Sequence, residues 1–503
     1  MASQEQMEFD YIVVGGGGAG AVLARTLAEQ TAGTVGLLEA GPSDEGRPEV
    51  LDFRRYREVG QGPLARMIPI VAPAVGNGRF RYPTSRMLGG STSQNTCIWF
   101  RPPASDFADW VEAGAAGWGP AGVTPHFEAL EARIRIEEEF PDEDSHRVLW
   151  RAAAEAGYPR TDFARPFDVG MGRYRMSKTG TQRQSTSVVF LHPLDALPGN
   201  LAVITETEMR KLVFGDGGAV VGVETSRGLF RARREVVLAA GALDTPKLLM
   251  LSGIGPARHL AEHGIAVRRD LPGVGAHLLD HPAACVNVAA RRPLARDAVW
   301  NYAGVAFARL EPGSPWPDIE MQLGAELFEQ QTAPAGYPSA PHGFASYLTV
   351  NRARSTGTVR LASREAGDNP RVDPAYFTDR DGYDLRVMIA GIRESRRLFA
   401  APALAEWVGA ELAPGVDCRD EGELGSYVRE TATTGYHPAG TAVMGDAADP
   451  RAVVDPALRV IGVPGLRIAD ASVFPTMVSV NIAATCMMVG HKAASLLRRD
   501  ELS

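Results

Sequence analysis

Glycines near the amino end of the chain form a pattern that could bind a dinucleotide. An apolar segment, 10–14, runs into Gly15-Gly16-Gly17-Gly18-Ala19-Gly20 and then into a helix-patterned stretch, 21–30. In a GxGxxG turn, Gly15 permits a sharp reversal, Gly17 lets a pyrophosphate approach the backbone, and Gly20 lets the helix lie against the strand. The first amides of that helix would face the phosphate.

Glu39 supports this interpretation. It follows a second predicted strand, 34–38, at the usual distance of ~20 residues from the glycines. A carboxylate there accepts hydrogen bonds from a ribose 2′-hydroxyl and would repel the 2′-phosphate of NADP. A glycine-rich surface loop, which is the alternative, would not need this acid.

The composition favours a small molecule as the main partner. A chain of 503 residues with 45% hydrophobic and 22% charged residues is typical of a globular protein with more than one structural unit. The net charge of −8 argues against nucleic acid and against an anionic membrane surface, because both require clustered Lys and Arg.

Cysteine usage and the absence of a targeting pattern predict a cytoplasmic protein. Cys97, Cys285, Cys418 and Cys486 lie far apart with no CxxC pair, which predicts reduced thiols rather than a zinc site or a disulfide framework. The sequence shows neither a signal-peptide pattern nor the ~20 consecutive apolar residues that a membrane helix needs.

The nucleotide-binding signals recur in three separated places, which predicts one domain assembled from non-contiguous segments. After the first come a buried-strand run closing on small residues, 235–242, and a short strand ending in Asp470. Between about 284 and 429, stretches such as 344–350 and 357–361 alternate apolar and polar residues, which indicates an antiparallel sheet. The acidic run from Glu137 to Asp144 is interpreted as a solvated loop.

The predicted fold class is therefore α/β. A Rossmann-like, doubly wound nucleotide-binding domain is expected over 1–155, 197–283 and 431–503. An inserted α+β substrate domain built on the antiparallel sheet is expected over 156–196 and 284–430.

Three motifs make the chain similar to the glucose-methanol-choline oxidoreductases, flavoenzymes that oxidise alcohols. They are the segment from Arg86 to Asn95, the pair of segments 241–246 and 252–255, and Tyr-His-Pro-Ala-Gly-Thr at 436–441 with Asn481 downstream. The resemblance spans essentially the whole chain. Within the family it is strongest to choline oxidases, notably at 95–98 and 487–490.

The resemblance implies FAD as cofactor, with Leu212 at the adenine edge through its backbone. Choline oxidases carry a histidine bonded covalently to the flavin at the position of Gln94, and because an amide cannot form that bond we expect non-covalent FAD. The residues implied to hold FAD are Gly15, Gly17, Gly18, Gly20, Glu39, Ala40, Arg86, Gly89, Gly90, Ser91, Asn95, Thr96, Leu212, Gly241, Asp470, Ala471 and Asn481.

The resemblance also assigns the catalytic pair. His437 occupies the position of the base and Asn481 that of its partner. Alcohol oxidation requires removal of the hydroxyl proton while a hydride leaves for flavin N5, and a neutral imidazole suits that task at neutral pH. Taken alone, His437 could be structural and Asn481 could cap a helix over 482–497, a role compatible with catalysis. Met487-Met488 is predicted to be core.

Two histidines and an aspartate, His277, His281 and Asp280, are the residues here that would fit a metal site. Their spacing lacks a third convergent ligand, and the family uses no metal. No metal is therefore expected.

The predicted substrate pocket departs from that of choline oxidases. After His281-Pro282 those enzymes place a glutamate that pairs with the trimethylammonium group, and this chain has Ala283. Tyr302 stands where a tryptophan is expected and Gln322 where a second active-site histidine would lie, and Trp99 completes the predicted pocket. Because a quaternary ammonium is costly to bury without a carboxylate or a full aromatic cage, we expect a less charged primary alcohol.

Nearby acids leave a second interpretation open. Glu320, Glu326 and Glu329 could form an acidic rim for an amine-bearing alcohol such as an aminosugar, a role that some family members fill. The simpler interpretation is that all three are solvated charges.

The resemblance implies FAD-dependent oxidation of a primary alcohol to an aldehyde, with molecular oxygen as acceptor and hydrogen peroxide as product. A second copy of the chain, forming a homodimer, is the expected protein partner. The alternatives are a dehydrogenase that passes electrons to a quinone or protein acceptor, a non-redox hydroxynitrile lyase, and a non-catalytic nucleotide-binding protein. No residue chooses between oxidase and dehydrogenase.

Overall fold

A mixed sheet built from distant parts of the chain forms the centre of the first unit. The computed structural model describes residues 7–71, 78–139, 143–163, 169–295 and 301–502, so 1–6 of the predicted first unit and Asp142 lie outside these ranges. Strands and helices are numbered in chain order. The sheet contains β1 (Met7–Val14), β2 (Val35–Leu38), β9 (Leu201–Ile204), β10 (Met209–Phe214), β11 (Val220–Thr225), β12 (Gly228–Leu238) and β23 (Leu466–Ile468).

The strands that carry the nucleotide-binding signals lie side by side. β1 pairs in parallel with β2 and β12, and β12 pairs in parallel with β23. Their carboxyl ends therefore meet at one edge, where ligands bind in sheets of this type. The order β10-β11-β12-β1-β2-β9 agrees with the predicted doubly wound domain.

Helices cover this sheet and the second one. The longest helix, at the carboxyl end of the chain, passes the start of the first helix at Gly490. A Cβ on Gly490 would lie 2.2 Å from the carbonyl oxygen of Ala19, the residue before the first helix. None of the helices in the described ranges combines the length and apolar character needed to cross a bilayer. The helices are α1 (Gly20–Gln30), α2 (Pro48–Leu51), α3 (Tyr56–Gln61), α4 (Ala104–Glu112), α5 (Pro120–Glu131), α6 (Asp144–Glu155), α7 (Thr186–Phe190), α8 (Gly241–Leu251), α9 (Ala257–Glu262), α10 (Glu329–Thr332), α11 (Tyr383–Phe399), α12 (Glu421–Thr431) and α13 (Ala483–Leu502).

An antiparallel sheet forms the centre of the second unit, which confirms the predicted fold class. Its order is β21-β15-β18-β17-β16-β6, and a further short strand pairs with β15. The strands are β6 (Gly170–Gly172), β15 (Pro282–Ala290), β16 (Tyr302–Ala308), β17 (Ile319–Gly324), β18 (Gly343–Val350), β21 (Val408–Ala413) and β22 (Thr433–Thr434).

The two faces of this sheet have different partners. One face packs on α11 and α6 in an apolar cluster that includes Val286, Met321 and Leu348. The α6 residues Val148 and Leu149 belong to that cluster, although the predicted first segment runs to 155. The division into units stays a prediction.

The remaining strands form small ribbons. The acidic residues Glu137–Glu139 were predicted to be a solvated loop, but they belong to a strand and pair with 174–176, and Lys178 Nζ donates to Glu137 Oε2 at 3.1 Å. The strands are β3 (Ala65–Pro69), β4 (Arg81–Ser85), β5 (Ile136–Glu139), β7 (Tyr174–Thr179), β8 (Gln182–Arg183), β13 (Ile254–Gly255), β14 (Arg269–Asp270), β19 (Thr358–Arg360) and β20 (Arg371–Asp373).

Candidate active site

The predicted phosphate turn lies between β1 and α1. Gly15 follows β1 and donates its N–H to the Leu38 carbonyl oxygen at 2.8 Å, Gly17 and Gly18 form the turn, and Gly20 begins α1. A Cβ on Gly20 would lie 1.9 Å from the Gly15 carbonyl oxygen. Only glycine lets the helix start this close to the strand.

The Glu39 carboxylate closes this turn on the side of β2. Its Oε2 accepts a hydrogen bond from the Gly16 N–H and its Oε1 from the Gly41 N–H, each at 2.8 Å. Burial raises the pKa of Glu39 to about 7, and the two backbone donors oppose that shift. Ala40 is half-buried beside it. Because each carboxylate oxygen has a second lone pair, Glu39 can also accept ribose hydroxyls.

A second glycine segment faces the first across the same space. Gly89 and Gly90 have φ angles of +83° and +52°, and the Gly89 N–H donates to the Gly16 carbonyl oxygen at 2.8 Å. A Cβ on Gly90 would lie 2.8 Å from the Cα of Gly17. Any side chain at Gly90 would therefore close this space. Ser91, the next residue, is exposed.

The protein itself fixes the ends of this second segment. Arg86 forms an ion pair with Glu208 at 2.7 Å. The fully buried Arg183 donates to the carbonyl oxygen of Asn95 at 2.6 Å and to its Oδ1 at 3.3 Å. Thr96 is half-buried next to Asn95. The backbone near the predicted flavin position is thus held in place by contacts within the chain.

Gly241 and Asp470 meet at the carboxyl ends of β12 and β23. The Asp470 Oδ2 accepts a hydrogen bond from the Gly241 N–H at 2.9 Å. The carbonyl oxygen of Ala471 accepts one from the Gly440 N–H at 3.0 Å. Because Gly440 lies three residues after His437, this contact joins the nucleotide turn to the predicted base.

The structure does not bring Leu212 to this cradle. Leu212 is buried in β10, and its N–H donates to Ser252 Oγ at 2.9 Å. The backbone beside Glu39 belongs to the turn before β10, where the Thr207 N–H donates to the Glu39 carbonyl oxygen at 2.8 Å. Five residues of extended chain, about 16 Å, separate Thr207 from Leu212. The turn at 206–208 was missed because nothing in its composition marks it.

These residues fit the adenosine and pyrophosphate part of FAD. A Cβ on Gly17 would meet nothing closer than the Cα of Gly90 at 3.8 Å, so its backbone is open to a ligand. No side chain in the described ranges caps the first N–H groups of α1. Uncapped helix N–H groups and an open glycine backbone bind phosphate, and the Glu39 carboxylate accepts ribose hydroxyls.

The structure brings the predicted catalytic pair together. His437 Nε2 lies 3.2 Å from Asn481 Nδ2, and both side chains are half-buried. Asn481 precedes α13, and its amide nitrogen contacts His437. Its Oδ1 is buried without a hydrogen-bond partner among the described residues.

The other nitrogen of His437 contacts a second histidine, whose position in the sequence indicated no role other than that of a metal ligand. His437 Nδ1 lies 2.8 Å from His281 Nδ1. His281 Nε2 lies 2.8 Å from the carbonyl oxygens of both Asn351 and Val478. Carbonyl oxygens only accept hydrogen bonds, so His281 Nε2 carries its proton and neutral His281 Nδ1 is an acceptor.

This contact selects one tautomer of His437. Since His281 Nδ1 accepts, His437 Nδ1 must donate, and the lone pair of neutral His437 lies on Nε2, the nitrogen beside Asn481. Burial lowers the pKa of His281 to about 4. Burial, and then the neighbouring His281, hold the pKa of His437 well below its ordinary value. His437 is therefore a neutral base whose lone pair lies on Nε2, where the Asn481 Nδ2–H donates to it at 3.2 Å.

Asp280 holds the backbone of both histidines through hydrogen bonds. Its Oδ1 accepts hydrogen bonds from the backbone N–H groups of His281 at 2.8 Å and His437 at 3.0 Å. Its Oδ2 accepts from the hydroxyls of Tyr82 at 2.7 Å and Thr434 at 2.6 Å, and also from the Tyr376 hydroxyl. This buried carboxylate therefore fixes the backbone of the base and of its partner.

The second face of the antiparallel sheet lies beside the catalytic pair and carries the predicted pocket residues. Ala283 and Tyr302 belong to an apolar cluster on this face that also contains Val480, the residue before Asn481. Gln322 pairs across the strands with Tyr347, whose side chain is in the same cluster, so Gln322 lies on this face too.

The structure does not bring Trp99 to this pocket face. Ile98 and Phe100 belong to the cluster on that face, and side chains alternate along extended chain. Trp99 therefore points the other way, into the core of the first unit, where its indole Nε1 donates to Glu131 Oε1 at 2.9 Å.

Gln94 and His277 lie outside the group of residues that surrounds His437. Gln94 Oε1 accepts a hydrogen bond from the Ser85 hydroxyl. His277 lies apart from His281, and its Nδ1 has no hydrogen-bond partner among the described residues. Within the ranges that the structure describes, no group of three or more His, Cys, Asp or Glu side chains converges on a metal position.

Comparison with known proteins relates this geometry to one family. Models of the GMC oxidoreductase amino- and carboxyl-terminal regions match 9–283 and 353–490. The chain is 43% identical to choline oxidase of Arthrobacter globiformis, over 98% of this chain and 94% of that protein. It is 33% identical to mitochondrial choline dehydrogenase of Homo sapiens, over 99% and 91%. The structure of pyridoxine 4-oxidase from Mesorbium loti superposes with a TM-score of 0.88 at 27% identity, covering 97% of this chain and 98% of that one.

Proposed function

We propose that this chain, which belongs to the GMC oxidoreductase family, oxidises a primary alcohol to an aldehyde with His437 as the base. GMC oxidoreductases are FAD-dependent enzymes that act on CH–OH donors. The observation that carries the proposal is the His281 contact, which supports an unprotonated His437 Nε2 beside the Asn481 amide.

The residues of the chain divide the reaction between them. When the alcohol binds, Asn481 Nδ2 donates to the alcohol oxygen in place of His437 Nε2, and His437 Nε2 takes the hydroxyl proton as the α-hydride leaves. Bound FAD, held by the two glycine segments and Glu39, supplies the hydride acceptor. Asp280 keeps the backbone of His437 in place, and His281 keeps the tautomer while the proton moves.

The FAD is proposed to be non-covalent. The side chain at the position of the flavin-linked histidine is Gln94, an amide without a nucleophilic nitrogen. Precipitation in acid should release the flavin into the supernatant. Flavin that stays with the protein pellet would contradict this proposal.

The substrate is proposed to be a primary alcohol other than choline, because Ala283 replaces the carboxylate that would pair with a quaternary ammonium. The test is anaerobic loss of flavin absorbance with choline, pyridoxine and neutral primary alcohols under identical conditions. The proposal expects bleaching by neutral alcohols and no preference for choline. A choline preference would refute the substrate assignment, and flavin that no alcohol bleaches would favour a hydroxynitrile lyase.

Molecular oxygen is proposed as the acceptor. The relatives include both an oxidase and a dehydrogenase of choline, so the distinction needs its own measurement. One hydrogen peroxide per aldehyde in air supports an oxidase, whereas turnover that requires an added quinone or dye supports the dehydrogenase. The homodimer and the cytoplasmic location stay predictions from the sequence.

A further inference from the structure

We infer that Glu320 and Gln322 bind an N–H-bearing ammonium group of the substrate, which makes the preferred substrate an alcohol with a primary or secondary amine. This inference rests on the proposed function and specifies its substrate class.

Glu320 is not the solvated charge that its sequence neighbourhood suggested. It lies in β17 and is 2% exposed. Among the described residues, only Gln322 donates to its carboxyl group, from Nε2 to Oε1 at 2.8 Å. Burial raises the pKa of Glu320 to about 7. A buried carboxyl group with one neutral donor has three acceptor positions left, and a cation beside it would offset the cost of its burial.

The sheet register places Glu320 on the pocket face. Glu320 pairs with Thr349 of β18, and Thr349 pairs with Ala283 of β15, so the three side chains point to the same face. The Thr349 methyl group would lie 3.3 Å from a Cβ on Gly435, two residues before His437. Glu320 is thus about two strand spacings, ~10 Å, from the catalytic segment. A substrate with several bonds between its hydroxyl group and its ammonium group could span this distance.

The other nearby acids are already neutralised or exposed. Glu326 forms an ion pair with Arg57 at 2.5 Å. Glu329 is exposed and accepts a hydrogen bond from the Ser339 hydroxyl. Glu320 is therefore the acid on this face whose charge the protein leaves uncompensated in the described ranges.

The hydrogen-bonding groups of Glu320 and Gln322 favour some ammonium groups over others. Gln322 uses its amide nitrogen on Glu320, which leaves its carbonyl oxygen as an acceptor beside the free carboxyl oxygen. Two acceptors are matched by a group with at least two N–H donors. A trimethylammonium group has no N–H, so choline would leave both acceptors unpaired. The aromatic rings of Tyr302, Phe328 and Tyr347 contact one another in the apolar cluster on the same face and would pack on the alkyl chain of the substrate.

The test compares aminopentanol with its neutral isostere hexanol and with the trimethylated derivative of aminopentanol, by anaerobic flavin reduction and kcat/KM. The wild-type protein should prefer aminopentanol over each of the other two by at least about tenfold, because hydrogen bonds to charged groups are the stronger kind. Glu320→Gln should bring the ratio to hexanol close to one. Glu329→Gln, the matched control on the exposed acid, should keep the wild-type ratio.

A second readout does not depend on turnover. Hexylamine, which has no hydroxyl group, should inhibit hexanol oxidation competitively in the wild-type protein and in Glu329→Gln, and at least about tenfold more weakly in Glu320→Gln. Equal use of hexanol and aminopentanol by the wild-type protein, or an unchanged ratio in Glu320→Gln, would overturn the inference while leaving the proposed function intact. Flavin that no alcohol reduces would instead overturn the proposed function.

Discussion

The contact between the two histidines predicts opposite outcomes for two similar substitutions of His281. Asparagine places an oxygen near the position of Nδ1, so His281→Asn keeps the acceptor for the His437 Nδ1–H. Glutamine places its amide nitrogen near the position of Nε2, so His281→Gln keeps the donor to the Asn351 and Val478 carbonyl oxygens and loses the acceptor. Tautomer selection therefore predicts that His281→Asn is the faster enzyme.

The expected magnitude follows from the cost of one buried, unpaired donor. Leaving the His437 Nδ1–H without an acceptor costs about 1–3 kcal/mol. The ring can avoid that cost by moving its proton to Nε2, which removes the base. Since 1.36 kcal/mol is tenfold in rate, flavin reduction in His281→Gln should slow by roughly 5-fold to 150-fold.

The assay is anaerobic stopped-flow flavin reduction with a saturating primary alcohol. FAD content and thermal unfolding of both variants provide the control, because a general packing defect would lower these as well. Equal reduction rates in the two variants, or a faster His281→Gln, would refute the tautomer argument.

Two further predictions concern the base and the cofactor cradle. Because the pKa of His437 is well below its ordinary value, flavin reduction should be constant from about pH 8 to pH 6 and decline only as the pH falls through that lowered pKa; a decline centred near 6.5 would mean an ordinary histidine. Gly90→Ala should lower the FAD content of purified protein, because its Cβ would lie 2.8 Å from the Cα of Gly17. Gly180→Ala, with a similar φ of +57° and open surroundings, is the control. Equal FAD content in the two variants would contradict the proposal that Gly90 lies in the FAD site.

The fold could be predicted from the sequence because its signals are local. The glycine turn, the acid after the second strand and the alternating stretch at 344–350 each depend on spacing within a few residues. α1 and β18 lie where those patterns placed them. The strand 358–360 shows the limit of such patterns. Its alternation was correct, but it pairs with β20 in a separate two-stranded ribbon rather than in the large antiparallel sheet.

The site could be predicted only where a motif marks it. His437 and Asn481 belong to recognised segments, whereas the contact of His437 with His281 spans 156 positions and depends on the tertiary packing of two distant segments. The pair Asp280-His281 was visible as an ionisable cluster, but the sequence offered no sign that it supports a base rather than a metal. Burial of Glu320 was missed for the same reason, since cross-strand register is decided by tertiary pairing.

His437 as the base is the central claim, and anaerobic flavin reduction in His437→Ala tests it most directly. Loss of general-base help predicts a rate lower by at least ~10² to 10⁴, with FAD content equal to that of the wild-type protein, because His437 is not among the residues proposed to hold FAD. A variant that reduces its flavin at a near-normal rate would contradict the account.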